Sequence, residues 1–339
     1  MATYYDIFGQ KVQYLSSDPS DVQIGQVWYN STSNTAKFQG LSTTGTFASA
    51  PNLPVPRGGG PMFSVGSTQA AVLSVGGTPT SPPPDYTTRT DVYDGTSWTA
   101  GNPITTAARN SVASGGASTS AAKMVGGFSG TAGGDNTVED YDGTSFSAAP
   151  VMTKGTEAAS GFGTQTAMVV AAGGAINVAP QQTDEWNGVS WTTVNPTGLG
   201  AQGGASSGTL TAGLWSGGFQ GYPTTIVITN SSSYDGTSWT ANNAMNTAKG
   251  SQTPTFSGTQ TASAIFGGNL RPGTTNQTEL YDGTSWSNTT TLPGVRENGG
   301  GAGTQAACLI SGGGLPSTTS TVLEWIGPGV AVTKTITTS

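Results

Sequence analysis

The string Tyr93-Asp94-Gly95-Thr96-Ser97-Trp98 recurs unchanged at 234–239 and 281–286, ends in Phe at 141–146, and reads WNGVSW at 186–191. Self-similarity at a fixed period means an array of one structural unit, and this constrains the fold more than any other feature of the chain. Aligned on the opening aromatic, six units follow: Tyr93, Tyr141, Trp186, Tyr234, Tyr281 and Trp325, at intervals of 48, 45, 48, 47 and 44 residues. Ahead of each aromatic lies an apolar stretch ending in Gly-Gly, from AVLSVGG at 71–77 to CLISGG at 308–313. Ahead of most of those lies a turn-like string such as GTQTA at 163–167 and 258–262.

One unit reads as four short strands: an apolar strand, the GTQT turn, a strand ending in Gly-Gly, a variable loop, a strand ending in the aromatic, the DGTS turn, and a strand opening with Trp. Asp-Gly and Asn-Gly between strands are strong hairpin signals, because both residues accept positive φ. Gly-Gly fits a crowded place where the backbone can carry no side chain. Unbroken four-stranded units of this length predict an all-β, six-bladed β-propeller with four antiparallel strands per blade. A helical solenoid of similar period would need 3.6-residue apolar spacing, and the sequence has none.

Composition narrows the function. Gly is 52 of 339 residues and charged residues only 9 %, which suits tight turns and short strands. Eight Trp, ten Tyr and ten Phe argue against disorder. With 11 Lys and Arg and a net charge of −7, no basic stripe exists for a phosphate backbone, so no nucleic-acid partner is expected. The chain has no His and one Cys, which excludes His acid–base chemistry, His ligands, internal disulfides and Cys clusters for zinc; no cofactor or metal is implied. Cys308, in the apolar run AACLI, is expected to be a buried small hydrophobe. No run approaches the ~18 apolar residues of a membrane span, and the opening MATYYDIFGQKVQYLSS lacks the pattern of a secretory leader.

The order Gly-Gly, Tyr-Asp, Trp resembles the kelch repeat of galactose-oxidase-like propellers over about 59–326, although Tyr to Trp is five positions here and longer in usual kelch repeats. The strings GTQTA…FGG…ELYDGTSW look like the kelch-type repeats in virion proteins of marine tailed bacteriophages. GQVWYNSTSNTAKFQG at 25–40 is similar to the GxxWYNS hairpin common near the start of phage fibre modules. The resemblance implies a non-enzymatic structural protein of a virion, on a tail fibre or the particle surface. Residues 1–40 would attach it to other virion proteins, and the propeller would meet a host-surface glycan or another virion protein. A secreted bacterial lectin-like propeller is the alternative, and a glycan-active enzyme a more distant one. Galactose-oxidase copper chemistry needs His ligands, so its residues cannot be carried over. Hydrolysis by paired carboxylates stays formally open, but the acidic residues fall mainly in turn positions. Homo-oligomerisation is left open.

The expected division is an attachment segment at 1–40 and the propeller at 41–339. A strand near 44–50, around Phe47, would supply the outer strand of the sixth blade and remove an open edge. The alternative gives that place to VAVTKTI at 330–336 and leaves 38–50 outside.

In an up-and-down blade the GTQT and DGTS turns share one end, while the variable loops and the blade-to-blade links share the other. Recognition is expected at the variable end, with Tyr86, Arg89, Phe219, Tyr222 and Arg271 as ligand contacts. Arg57, Arg109, Lys154, Lys249 and Arg296 fall 8 to 11 residues after an aromatic in successive links, and Gln202 takes the remaining place. These cations either brace neighbouring blades or form a positive ring for an anionic ligand. Trp98, Trp191, Trp239 and Trp286 are expected to pack between blades, like Tyr93, Tyr141, Trp186, Tyr234, Tyr281 and Trp325. Asp94, Asp142, Asp235 and Asp282, each before Gly as in Asp94-Gly95, are expected to bond local backbone rather than calcium.

Overall fold

A computed structural model describes residues 12–42, 44–58, 63–79, 86–106, 112–113, 119–129, 134–174, 181–221, 226–254, 258–314 and 318–336. The chain is all-β, with no helix among these residues. It divides into two compact units, Met1–Thr46 with Ile326–Ser339, and Phe47–Trp325.

The larger unit is built from six four-stranded sheets. The first holds Phe63–Thr68, Ala71–Val75, Thr90–Tyr93 and Trp98–Ala100, each strand beside the next in the chain. The second runs from Val112–Ala113 to Phe146–Ala148, the third from Ser160–Thr164 to Trp191–Val194, the fourth from Ala205–Thr209 to Trp239–Ala241, and the fifth from Thr253–Pro254 to Trp286–Asn288. The sixth holds Gly300–Gly303, Ala307–Ser311, Val322–Ile326 and, from the other end of the chain, Thr46–Ala50. The first strand of each sheet lies against that of the next, in order from Phe63–Thr68 onward, and Gly300–Gly303 lies in turn against Phe63–Thr68.

The second strands form the core of each sheet. AKMV, AMVVA, AGLWS and ACLIS are buried over four successive residues, as expected for strands covered on both faces. The first strands are rich in Gly and Ser because neighbouring sheets approach closely there. A Cβ on Gly301 would collide with the carbonyl of Pro254, and one on Gly300 with Ser64. Ser64 and Ser311 instead join their hydroxyls at 2.7 Å across the gap, and the Ser206 hydroxyl donates to Gly161 O at 2.9 Å.

The Gly-Gly pairs mark where each link crosses the sheet. The N–H groups of Gly127, Gly173, Gly218, Gly268 and Gly313 donate to the carbonyls of Thr156, Ala201, Lys249, Arg296 and Arg57 at 2.8–2.9 Å. The third sheet is shifted by one residue from the sequence alignment. Ala172 bonds Gln182 O as Gly126 bonds Thr137 O and Gly217 bonds Asn230 O, so Ala172 occupies the first glycine's place, at φ 56°. Two residues beyond the link carbonyls of Thr156, Ala201, Lys249 and Arg296, the residues Ala158, Gly203, Ser251 and Asn298 share left-handed φ values of 49–64°. Their main chains are joined in series: Gly203 N–H to Ala158 O, Ser251 N–H to Gly203 O, and Asn298 N–H to Ser251 O, at 2.7–2.8 Å.

In the sixth sheet Phe47 stands 4.8 Å from Trp325, where the other sheets set an aromatic of their own fourth strand against the third. The segment at 330–336 lies elsewhere. Ala331–Thr335 pairs antiparallel with Thr35–Leu41, so Ile326–Ser339 belongs with the N-terminal unit rather than within a single body at 41–339.

That smaller unit holds one sheet in the order Gln13–Leu15, Val27–Asn30, Thr35–Leu41, Ala331–Thr335, with the first pair parallel. Its WYNS string is organised by Asp18. The carboxylate accepts the buried Trp28 Nε1 at 2.9 Å, Asn30 Nδ2 at 2.8 Å and Lys37 Nζ at 2.6 Å. The hydrogen bonds from Asn30, Lys37 and Trp28 hold the Asp18 carboxyl down at about 2. Asn30 Oδ1 accepts the N–H groups of Thr32 and Ser33, which forms the turn.

Candidate recognition face

At the turn end of the larger unit the first five repeats do the same thing. Asp94 Oδ1 accepts the N–H groups of Thr96 and Ser97, and Asp142, Asp235 and Asp282 accept from the equivalent pairs, all at 2.7–2.8 Å. Asn187 makes the same two bonds at 2.9 Å. These bonds hold the Asp142, Asp235 and Asp282 carboxyls below the usual range, and a bond from the Thr96 hydroxyl, joined by the two N–H groups, holds Asp94 at about 2. The aromatics flanking each turn face one another: Tyr93 with Trp98, Tyr141 with Phe146, Trp186 with Trp191, Tyr234 with Trp239, Tyr281 with Trp286, at 4.7–5.4 Å. They also reach the preceding sheet, since Trp98 Nε1 donates to Pro51 O and Trp191 Nε1 to Pro150 O.

Two inter-sheet devices are absent from the reading of the sequence. The Gln of the GTQT turn spans the gap: Gln165 Nε2 donates to Ala122 O and Tyr141 O, Gln260 Nε2 to Gly213 O and Tyr234 O, and Gln305 Nε2 to Ser263 O and Tyr281 O. The Asn four residues after the Trp clips the next turn: Asn102 to Thr144 O, Asn195 to Thr237 O, Asn243 to Thr284 O. The repeated Gln in GTQTA and the W-x3-N spacing were the available signals. A cavity of about 280 Å³ opens at this end between the turns of the fourth and fifth sheets, lined by Thr209, Ala212, Thr259, Gln260 and Thr261, with no charged side chain.

The link cations divide. The Arg57 guanidinium is fully buried and bonds Asp91 at 2.6 Å, Arg89 O at 3.1 Å, Ser74 Oγ at 3.3 Å and Gly76 O at 3.3 Å. Lys249 is fully buried 3.0 Å from Glu279. Arg296 is buried with one bond, to Thr321 O at 3.4 Å, because Leu323 stands where the other two have a carboxylate. Burial lowers the pKa of all three, Arg57 and Arg296 to about 10. Such groups brace their sheets and present no charge to a ligand.

Lys154 and Gln202 do not share this position. The structurally equivalent residues are Thr156 and Ala201, each ten residues after its aromatic, as Arg57 follows Phe47, Lys249 follows Trp239 and Arg296 follows Trp286. Lys154 is accordingly exposed, and it makes no ion pair among the described residues. Arg109 lies outside the described residues.

Of the loop candidates, Arg89 chelates Asp91 through Nε at 2.8 Å and Nη2 at 2.7 Å, opposite Arg57, and so belongs to the brace. Tyr86 sets its ring edge-on to Phe128 at 6.3 Å, joining the loops of the first and second sheets. Phe219 and Arg271, from the fourth and fifth sheets, come together, with the guanidinium 4.7 Å above the ring centroid. Tyr222 lies outside the described residues. Glu297, buried beside this pair, accepts from Asn269 Nδ2 at 2.7 Å and Asn298 Nδ2 at 3.1 Å; burial raises its carboxyl pKa, against the pull of those bonds.

Among the described residues no group of three or more His, Cys, Asp or Glu is placed to hold a metal ion. Cys308 is fully buried and its thiol is pushed up to about 12. No protein-family model matches the chain, and no curated protein is significantly similar to it.

Proposed function

We propose that the six sheets are the blades of a closed, kelch-like β-propeller. We further propose that it serves as a non-enzymatic attachment module of a tailed-phage virion, with the loop end turned toward a host glycan or another virion protein. The observation that carries the recognition reading is the contrast between the two ends of the sheets. One end repeats a single hydrogen-bonded turn in five of the six sheets, and the loops at the other vary in sequence and length. Such variation on a fixed scaffold is the usual setting of binding surfaces.

Closure is supported by the succession of neighbouring first strands from Phe63–Thr68 back to itself, and by Thr46–Ala50 completing the sixth sheet. The virion assignment rests on the phage-like strings together with a second compact unit carrying the WYNS turn. Residues of that unit are the expected attachment to other virion proteins.

Mass spectrometry of purified particles tests the virion assignment; absence from particles, with housekeeping genes on either side, removes it. A glycan array repeated after the loops are exchanged for the shortest of the six tests the recognising end. Binding that survives the exchange places recognition elsewhere.

A further inference from the structure

We infer that the adjoining loops of the fourth and fifth sheets form a subsite for the carboxylate of an acidic sugar, with Arg271 as its donor and Phe219 as its floor. This rests on reading the loop end as the recognising end.

Both sheets extend their loop ends beyond the repeat. The fourth adds a hairpin in which Phe219–Gln220 pairs with Ile226–Val227. In the fifth, Ser263–Asn269 and Thr274–Tyr281 remain paired beyond the Gly-Gly, with Gly268 opposite Thr275 and Asn269 opposite Thr274. The two hairpins bring Arg271 over Phe219. The phenyl ring is buried and fixed, since a Cβ on Gly250 would lie 2.6 Å from it and one on Gly203 3.2 Å. Glycine at both positions leaves the space that the ring fills.

Arg271 itself is exposed and has no ion pair among the described residues. Its neighbour Glu297 is hydrogen-bonded by Asn269 and Asn298 and feels the charge of Arg271 without pairing with it. The other described arginines are committed, Arg57 and Arg89 to Asp91, and Arg296 to the interior. A guanidinium placed over an aromatic ring is restricted in position, and its planar fork matches a carboxylate in two-point contact. With a net charge of −7 the chain has no general attraction for polyanions. Recognition is therefore local to this arginine and sensitive to salt.

The test is titration of the full chain with tetragalacturonate, with neutral galactotetraose as the control sugar, followed by NMR shifts and calorimetry. Arg271→Ala should weaken uronate binding by about tenfold or more, Arg271→Lys should restore part of it, and Lys154→Ala should leave it unchanged. Near-UV circular dichroism of each variant checks that the fold is retained. No uronate binding, equal binding of the neutral sugar, or full binding by folded Arg271→Ala would each overturn the subsite. Uronate binding by a chain absent from particles would uphold the subsite while removing the virion assignment; a chain present in particles but blind to uronate would do the reverse.

Discussion

The turn end and the loop end of the same six sheets are held by different chemistry. At the turn end, exposed Asp or Asn side chains close identical hairpins, and Gln and Asn side chains tie successive sheets from the first to the sixth. At the loop end the main-chain bonds of the links repeat, but the side-chain ties are buried charges, and these are individual. Arg57 has a carboxylate and three further acceptors, Lys249 one carboxylate, Arg296 a single carbonyl. A tie made from short polar side chains and main chain can be copied into every repeat, whereas a buried ion needs a partner in each. Repeats that diverge therefore lose the partner first, as Leu323 opposite Arg296 illustrates.

The most severe test of this contrast removes one charge of a buried pair. Lys249→Met leaves Glu279 buried without its cation and should cost about 3–5 kcal/mol, read as a fall in the urea midpoint. Arg296→Met abandons no carboxylate and should change stability by well under half of that. Equal losses in the two variants would show that the loop-end cations act by packing alone.

The turn-end ties should be weaker and alike. Gln305→Ala removes the bonds to Ser263 O and Tyr281 O and should cost about 1–2 kcal/mol. Gln165→Ala and Gln260→Ala should match it within the scatter of such measurements, because each makes the same pair of bonds. A spread among the three as wide as that between Lys249→Met and Arg296→Met would break the contrast between a copied end and an individual one.

The sequence made the strand order, the aromatic pairs and the Asx turns legible, because each depends on residues within about ten positions of one another and recurs with them. Residue type alone could not tell which cations sit in the links' shared position. The fixed quantity is the ten-residue interval from an aromatic to a carbonyl, and main-chain carbonyls leave no mark in a sequence. For that reason Lys154 and Gln202, cation and amide by type, lie beside the shared position, and the uncharged Thr156 and Ala201 fill it. The Phe219–Arg271 contact joins two loops that are never repeated, so no spacing could announce it. The pairing of Ala331–Thr335 with Thr35–Leu41 was hidden likewise, since it joins segments almost a chain length apart.

Ala172 offers a smaller and favourable change. It holds φ 56° where the first, second, fourth, fifth and sixth sheets have Gly76, Gly126, Gly217, Gly267 and Gly312. Left-handed backbone costs a residue bearing a Cβ about 1 kcal/mol, and glycine avoids that strain. Ala172→Gly should therefore raise the thermal midpoint by a few degrees, about 1 kcal/mol in stability, less the added chain entropy of the unfolded state. A lowered midpoint would mean that the methyl group contributes packing in the third sheet that exceeds the strain.

The smallest expected effect separates charge from geometry in the repeated turn. Asp94, Asp142, Asp235 and Asp282 have folded pKa values below the unfolded value of about 4, so their contribution is complete above that pH and is lost as the pH falls through the folded values, about 2 for Asp94. Asn187 accepts the same two N–H groups without a charge to lose. Replacing all four Asp by Asn should keep the turns and flatten part of the decline in stability between about pH 4 and pH 2, while changing little at neutral pH. A variant that loses stability in acid as steeply as the parent would assign the acid sensitivity to groups other than these four. The turn would then be held by its geometry, with the charge incidental.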